Sequence, residues 1–260
     1  MTARAAPAWW GNAGFLTSLV FLLAAWQLSG LFLNKIFIAT PIAVGAAFAE
    51  ILFDGTLIRK FADSALDMGV GFGIAAVVGI GCGVIMGRSA RAERAFEPIV
   101  NFANATPTIA LLPLMEIWFG LGMAARVSFI VIICVWTLLI NTLTGIKNVR
   151  VGHRDVARSF GLSRFQATRQ VYIPAAMPFI LAGMRIALAQ AAVGMILSGQ
   201  EIGDFGLGGL TQDYASFYQT EHLIAAIISS TGLAMLAFAG LRFYQGKWQP
   251  WIQATAAGRR

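Results

Sequence analysis

Long apolar stretches without charged residues recur along this chain and restrict its fold more than any other feature. A membrane-spanning helix needs about 20 apolar residues. Four stretches of about that length or more lack any charge, at residues 5–34, 68–87, 127–146 and 223–241. Two further stretches, 98–125 and 171–200, carry one charge each. We therefore predict an all-α integral membrane protein, a single domain over residues 1–260, with six transmembrane helices at about residues 12–33, 64–87, 105–122, 125–146, 174–199 and 222–243.

The distribution of charge predicts how the chain crosses the membrane. Its net charge is +7, but the basic residues lie in short clusters between the apolar stretches, which argues against a nucleic-acid-binding face. Residues 201–221, by contrast, hold four acidic residues and no lysine or arginine. Cytoplasmic loops of membrane proteins are enriched in lysine and arginine. We therefore predict a multi-pass protein with both termini in the cytoplasm.

Small residues recur every four positions in the second predicted span. They are Gly71, Ala75, Gly79, Gly83 and Gly87. A helix face lined with small side chains lets two backbones approach closely in lipid. The four glycines therefore predict tight helix packing. Both cysteines lie within apolar runs and no metal-ligand spacing occurs, so we predict no metal site.

Residues 153–170, between the fourth and fifth spans, read as two short helices joined at a bend. Gly161 can adopt the left-handed conformation that ends a helix, and Ser163 can cap the next one. Pro174 then suits the first turn of the fifth span. Phe160, Leu162 and Phe165 would leave an apolar tip, with Arg164 beside it. Such a tip predicts docking into a groove on another protein.

The same segment resembles a cytoplasmic signature of bacterial ABC-importer permeases, which reads Glu-Ala-Ala, three residues, Gly, nine residues, Ile-x-Leu-Pro. Asp155, Val156 and Ala157 stand at the first triplet, Gly161 at the glycine, and Val171, Ile173 and Pro174 at the end. Three further stretches resemble the nitrate/sulfonate/taurine-type branch: "ATPTIALLPLMEIWFGLG" (105–122), "PAAMPFILAGMRIAL" (174–188) and "QEIGDFGLGGL" (200–210). The resemblance covers about residues 37–210.

The resemblance implies a type I ABC-importer permease fold with a cytoplasmic coupling helix, in the inner membrane of a bacterium. The expected partners are a second permease copy in a homodimer, two cytoplasmic ATPase subunits that bind ATP and Mg, and an extracytoplasmic solute-binding protein. The implied ATPase-coupling residues are Asp155, Ala157, Phe160, Gly161, Leu162, Arg164, Phe165 and Pro174.

The implied function is import of a small solute, anionic or resembling an organic acid or sulfonate, by alternating access. The resemblance implies that the chain itself is not a catalyst. It lacks a GxxxxGK[ST] phosphate-binding motif, so we expect it to bind no cofactor and a partner subunit to bind the ATP. The alternative is a secondary transporter that needs no ATPase. That class predicts inverted repeats and intramembrane carboxylates for coupling ions, whereas this sequence shows no repeat and one such acid.

Glu116 and Arg185 are the charges that fall well inside the predicted spans, where a charge costs at least about 2.5 kcal/mol. Counted from Pro107 and Pro174, they would lie at similar depth. Three interpretations remain open: an ion pair that joins spans three and five, residues lining the substrate pathway, or Arg185 on backbone carbonyls with a protonated Glu116. The resembled family usually has arginine at position 185 and a hydrophobic residue at 116.

Overall fold

Helices form nearly all of the structure, a computed structural model that describes residues 8–32, 38–149, 152, 155, 157 and 159–246. In chain order they are α1 (Ala8–Phe32), α2 (Pro41–Phe53), α3 (Thr56–Arg88), α4 (Ala90–Ala105), a 3₁₀ turn (Thr108–Leu111), α5 (Leu112–Phe119), α6 (Met123–Lys147), α7 (Arg164–Ala167), a π turn (Thr168–Tyr172), α8 (Ile173–Glu201), α9 (Gly206–Ser216) and α10 (Thr220–Gly246). The all-α prediction is confirmed for this part of the chain.

Four helices in the described ranges are long and apolar enough to cross a membrane. They are Thr56–Arg88, Met123–Lys147, Arg164–Glu201 and Thr220–Gly246, with 25 to 38 residues each. They coincide with four of the six predicted spans. Helix α1, Ala8–Phe32, overlies the first predicted span.

The third predicted span, residues 105–122, is not one continuous helix. Thr106 and Pro107 are extended, and the apolar part that follows runs only over Thr108–Phe119, as the 3₁₀ turn and α5. A proline disfavours helical conformation in the residue before it. At the other end, Gly120 has a φ of +74° and stops α5. The segment is apolar apart from Glu116, but its backbone is broken at both ends.

The glycine face of α3 packs against α6 in a constant register. Gly71, Gly79, Gly83 and Gly87 each face the residue 59 positions later, which are Ile130, Leu138, Thr142 and Ile146. A constant offset means that α3 and α6 run in the same direction through the bundle. A Cβ added to any of the four would lie within 2.8 Å of α6 atoms, so the two backbones approach closely only because these residues are glycine.

Gly79→Ala is expected to destabilise the fold because the new Cβ would lie 2.7 Å from the Val135 carbonyl oxygen. That neighbour is backbone and cannot move aside cheaply, so we expect a cost of about 1–3 kcal/mol. Gly81→Ala is the matched control, since nothing lies within 4 Å of its Cβ position. The measurement is the melting temperature in detergent, and equal melting temperatures for the two variants would contradict the packing argument.

The fifth span begins earlier than predicted. We expected Pro174 to open it after a separate short helix, but helix runs continuously over Arg164–Glu201. The π turn at Thr168–Tyr172 lies directly before Pro174. Proline lacks the N–H that would bond one turn back, and a wider turn at that point accommodates the missing bond. The segment that carries the bend is therefore joined to α8 without a break.

Candidate functional site

The segment from residue 152 to residue 172, hereafter the elbow, is built around a sharp bend at Gly161. Its first predicted helix lies partly outside the described residues, although Asp155, Ala157 and Ser159 are helical. Gly161 has a φ of +64°, and the Leu162 N–H donates to the Ala157 carbonyl at 3.1 Å across the bend. This is the left-handed glycine termination that the sequence predicts.

A capping box fixes the second arm of the elbow. The Gln166 N–H donates to the Ser163 hydroxyl at 3.2 Å, and the Ser163 N–H donates to the Gln166 side-chain carbonyl at 2.9 Å. The two bonds satisfy backbone donors that a helix start otherwise leaves unpaired. The predicted cap at Ser163 is present, and the direction of α7 is set by local bonds.

Arg88, the last residue of α3, holds the elbow against the bundle. Its Nε donates to the Thr168 hydroxyl at 3.1 Å, and its guanidinium lies 3.7 Å from the centre of the Tyr172 ring. A guanidinium over an aromatic face is attracted by the ring quadrupole. Two elbow residues, Ala157 and Ala167, are buried. The elbow is thus anchored on its inner side to α3 and the helix that leads into α8.

Two large apolar side chains remain uncovered on the outer side of the elbow. Phe160 is 78% exposed and Phe165 is 74% exposed. Leu162 is partly buried, while Arg164 between them is exposed. The predicted apolar tip therefore consists of the two phenylalanines and not of three residues. A hydrophobic patch with a polar rim is typical of a protein-binding surface.

The structure does not pair Glu116 with Arg185. The Arg185 Nη2 donates to the Gln245 side-chain carbonyl of α10 at 2.7 Å. Glu116 lies on α5, and its side chain has no hydrogen bond or ion pair with any residue in the described ranges. The depth count that suggested pairing assumed one continuous third span, which α5 is not. The ion-pair interpretation is therefore not realised, whereas a role in the substrate pathway stays a prediction.

Arg185 lies on a largely exposed face of α8, at the edge where Gln245 of α10 reaches it. The exposed residues of that face are Ala182, Arg185, Ile186, Ala189 and Val193, at spacings of three and four. Residues with this spacing share one side of a helix. Arg185 is the only charge among them, so it is presented on a surface that is otherwise apolar.

A buried ion pair, which sequence reasoning missed, joins α3 to α6. The Arg126 Nε lies 2.6 Å from the Asp67 Oδ2, and each side chain is only 6% exposed. The Arg126 guanidinium also lies 3.7 Å from the centre of the Phe205 ring, which precedes α9. The pair therefore connects three parts of the bundle at the end opposite to the elbow.

The turn from α8 to α9 depends on close backbone approach. Gly206 has a φ of +62°, and the Leu207 N–H that follows donates to the Ser64 hydroxyl of α3 at 2.8 Å. A Cβ on Gly208 would overlap the Ile196 carbonyl oxygen. The glycines of "QEIGDFGLGGL" (200–210) thus seat α9 directly on α8 and α3 beside the Asp67–Arg126 pair.

Asp213→Asn is expected to stabilise the protein at neutral pH. Burial, a hydrogen bond that protonated Asp213 donates to the neighbouring Asp204 carboxylate, and the charge of Asp204 raise the Asp213 pKa above its ordinary 3.8, while the charge of Lys60 lowers it. A raised pKa means that the stability contributed by the protonated form is present below 3.8 and is lost as pH rises through the folded-state value. The variant's gain in melting temperature should therefore be clear at pH 7 and vanish below about pH 4. An equal gain at both pH values would contradict this account.

Comparison with known proteins agrees with the helical membrane fold described above. Residues 75–248 match the family model described as "Binding-protein-dependent transport system inner membrane component". A taurine transport system permease protein of Escherichia coli (strain K12) is 31% identical over 198 residues, which are 76% of this chain and 72% of that protein. A nitrate import permease protein of Leptolyngbya laminosa is 30% identical over 189 residues, 72% of this chain and 68% of that protein.

A solved structure with the same fold is that of an inward-facing methionine ABC transporter. It has a TM-score of 0.63 and 18% identity, and the match covers 73% of this chain and 95% of that chain. At this identity the similarity concerns the fold alone. The described helices therefore share the permease architecture of that transporter.

Proposed function

The chain belongs to the binding-protein-dependent transport system inner membrane component family, and from that premise we propose that it is the permease subunit of an ATP-driven importer of a small anion. It is an ABC-importer permease, a transport protein and not a catalyst, with several membrane helices. The relatives named above are permeases for taurine and for nitrate. Nitrate is an anion and taurine carries an anionic sulfonate group, which supports a solute with an anionic group here.

The observation that carries the proposal is the apolar tip of Phe160 and Phe165 on a rigid, capped elbow. Exposed aromatic side chains on an ordered segment are suited to burial in a partner's groove. The family implies that the partner is an ATPase subunit. Its ATP and Mg are bound there, since this chain carries no phosphate-binding motif.

The elbow is joined to the membrane-spanning part of the chain without a break in the helix. The elbow continues into α8 through a single helix from Arg164 to Glu201, which also carries Arg185. These 38 residues cover about 57 Å at 1.5 Å per residue, with no loop between the elbow and the membrane-spanning part. Displacement of the tip by closing ATPase subunits would therefore tilt α8 and the exposed face around Arg185. Reversing a 1:99 preference between two states takes about 5.5 kcal/mol, which ATP-driven closure would supply.

We place the elbow and both termini in the cytoplasm. We place α9, with the acidic residues at 201–221, on the outer side of the membrane. This orientation is supported by the basic residues that cluster near the elbow and by the acids at 201–221. We also propose a homodimer, in which two copies present two elbows to two ATPase subunits, and a solute-binding protein that delivers solute to the outer face.

The proposal is tested by purifying the tagged chain from its native membrane and reconstituting what co-purifies into liposomes. We expect an ATPase subunit to co-purify. We also expect solute uptake to require ATP on the side of the liposome membrane that the elbow faces. Uptake by the chain alone, driven by a proton gradient, would instead identify a secondary transporter. Absence of any co-purifying ATPase together with ATP-independent uptake would overturn the proposal.

A further inference from the structure

A cavity between α8 and α10 brings two arginines to one small space. It has a volume of about 240 Å³ and is lined by Arg185, Phe238, Leu241, Arg242 and Gln245. Arg185 comes from α8, and the other four residues come from the last turns of α10. The cavity is thus formed where the exposed face of α8 meets the C-terminal end of α10.

The positive charge of this cavity is not neutralised by the residues that the structure describes. No described carboxylate lies within 4 Å of the guanidinium of Arg185 or of Arg242. Gln245, which accepts from Arg185 at 2.7 Å, is a neutral side chain and fixes the position of that guanidinium without cancelling its charge. An arginine has five N–H donors in a planar fork, so donors remain for a ligand.

Gln245 is itself held in place. It is 8% exposed, and its amide nitrogen donates to the Leu181 carbonyl of α8 at 3.4 Å. The amide therefore bridges α8 and α10 and aligns Arg185 with the cavity. A buried amide with both ends engaged is the kind of support that holds a binding side chain in one orientation.

The rest of the lining is apolar and continues beyond the charged part. Phe238 and Leu241 form one wall of the cavity. A second, larger cavity of about 640 Å³ shares Phe238 and Arg242 and adds Met235, Ala239 and Phe243. The combined space offers guanidinium donors at one end and hydrocarbon contacts at the other. An anion without an apolar part would contact only the guanidinium donors.

We propose that this cavity binds the solute during its passage, with the acidic head group between Arg185 and Arg242 and an apolar body against Phe238. The inference rests on the proposed transport function and narrows it. The solute class is an organic anion, such as a sulfonate or carboxylate with a short alkyl or aryl group, and not an inorganic anion. Charge-assisted hydrogen bonds from two guanidinium groups give affinity, and the apolar wall gives selectivity.

The test is binding of alkanesulfonates to the purified full chain in phosphatidylcholine nanodiscs, measured by calorimetry. We expect 1-butanesulfonate to bind more tightly than methanesulfonate, by about fourfold per added methylene, and nitrate to bind weakest. Arg185→Gln and Arg242→Gln should each weaken 1-butanesulfonate binding by about tenfold or more. Arg91→Gln on α4 removes an exposed arginine far from the cavity lining and is the matched control.

Phe238→Ala keeps both charges and tests the apolar wall separately. It should weaken 1-butanesulfonate binding and leave methanesulfonate binding unchanged. The inference fails if the arginine variants bind 1-butanesulfonate like the wild type, or if nitrate binds as tightly as 1-butanesulfonate. It also fails if 30% phosphatidylglycerol in the nanodisc abolishes binding, since the site would then belong to an anionic lipid.

These outcomes are separable from failure of the transport proposal. If the wild-type chain co-purifies with its ATPase and supports ATP-dependent uptake while the arginine variants behave as wild type, only the cavity assignment is wrong. If the wild type shows no ATP-dependent uptake, the proposed function is wrong whatever the cavity binds.

Discussion

Asp67→Asn is expected to lower the free energy of unfolding by about 3–5 kcal/mol, the range found when one partner of a buried ion pair is removed. The substitution leaves the Arg126 guanidinium, with a side chain only 6% exposed, without its carboxylate. The remaining contact, with the Phe205 ring at 3.7 Å, does not neutralise the charge. The measurement is the denaturation midpoint of the purified protein in detergent.

The double substitution Asp67→Leu with Arg126→Met distinguishes a penalty of the unpaired charge from a requirement for the pair itself. Replacing a buried ion pair by apolar residues of similar volume is often neutral or stabilising. We therefore expect the double variant to recover most of the loss seen in Asp67→Asn. The account fails if each single variant is as stable as the wild type. It also fails if the double variant is the least stable of all.

The pair also illustrates what sequence reasoning missed and how it could have been found. Asp67 and Arg126 lie at the outer edges of their spans, where charges are ordinarily assigned to loops. Asp67 nevertheless lies four residues before Gly71, so it continues the four-residue repeat of the glycine face. It faces Arg126 at the same 59-residue offset that the glycines have toward α6. Extending the repeat by one step would have placed a buried carboxylate on that face.

Uncharged apolar runs located most long helices well, because the cost of a charge in lipid sets where such a helix can begin and end. The fourth span, predicted at 125–146, is Met123–Lys147, and the sixth, predicted at 222–243, is Thr220–Gly246. The same signal did not show that the helix is interrupted at 105–122, since apolar composition says nothing of backbone breaks. Pro107 and Gly120 carried that information, and both are in the sequence.

The elbow was predictable because its geometry is local. Gly161 and Ser163 form the bend and the cap with neighbours within a few residues, so spacing alone indicates them. The partner of Arg185 was not predictable in this way. Gln245 lies 60 residues away in a different helix, and its position follows only from how α10 packs on α8. The depth count for Arg185 also began at Pro174, whereas the helix runs through that residue.

Phe165→Ala is expected to weaken docking of the ATPase subunit by about 30-fold, which corresponds to about 2 kcal/mol for a central aromatic contact of an interface. Phe165 is 74% exposed, so its removal takes little packing from the chain itself. ATP-dependent uptake in reconstituted liposomes should fall in parallel, while the melting temperature of the isolated chain stays unchanged. Phe160→Ala should act in the same direction, since its side chain is 78% exposed on the same tip.

Phe217→Ala is the matched control, because that phenylalanine is 73% exposed but lies at the end of α9, away from the elbow. Gly161→Ala separates the position of the tip from its chemistry. Nothing lies within 4 Å of its Cβ position, so the change acts only through its φ of +64°, at about 1–2 kcal/mol. It should weaken docking with both phenylalanines still present. If neither Phe165→Ala nor Gly161→Ala weakens ATPase co-purification more than Phe217→Ala does, the elbow is not the docking element.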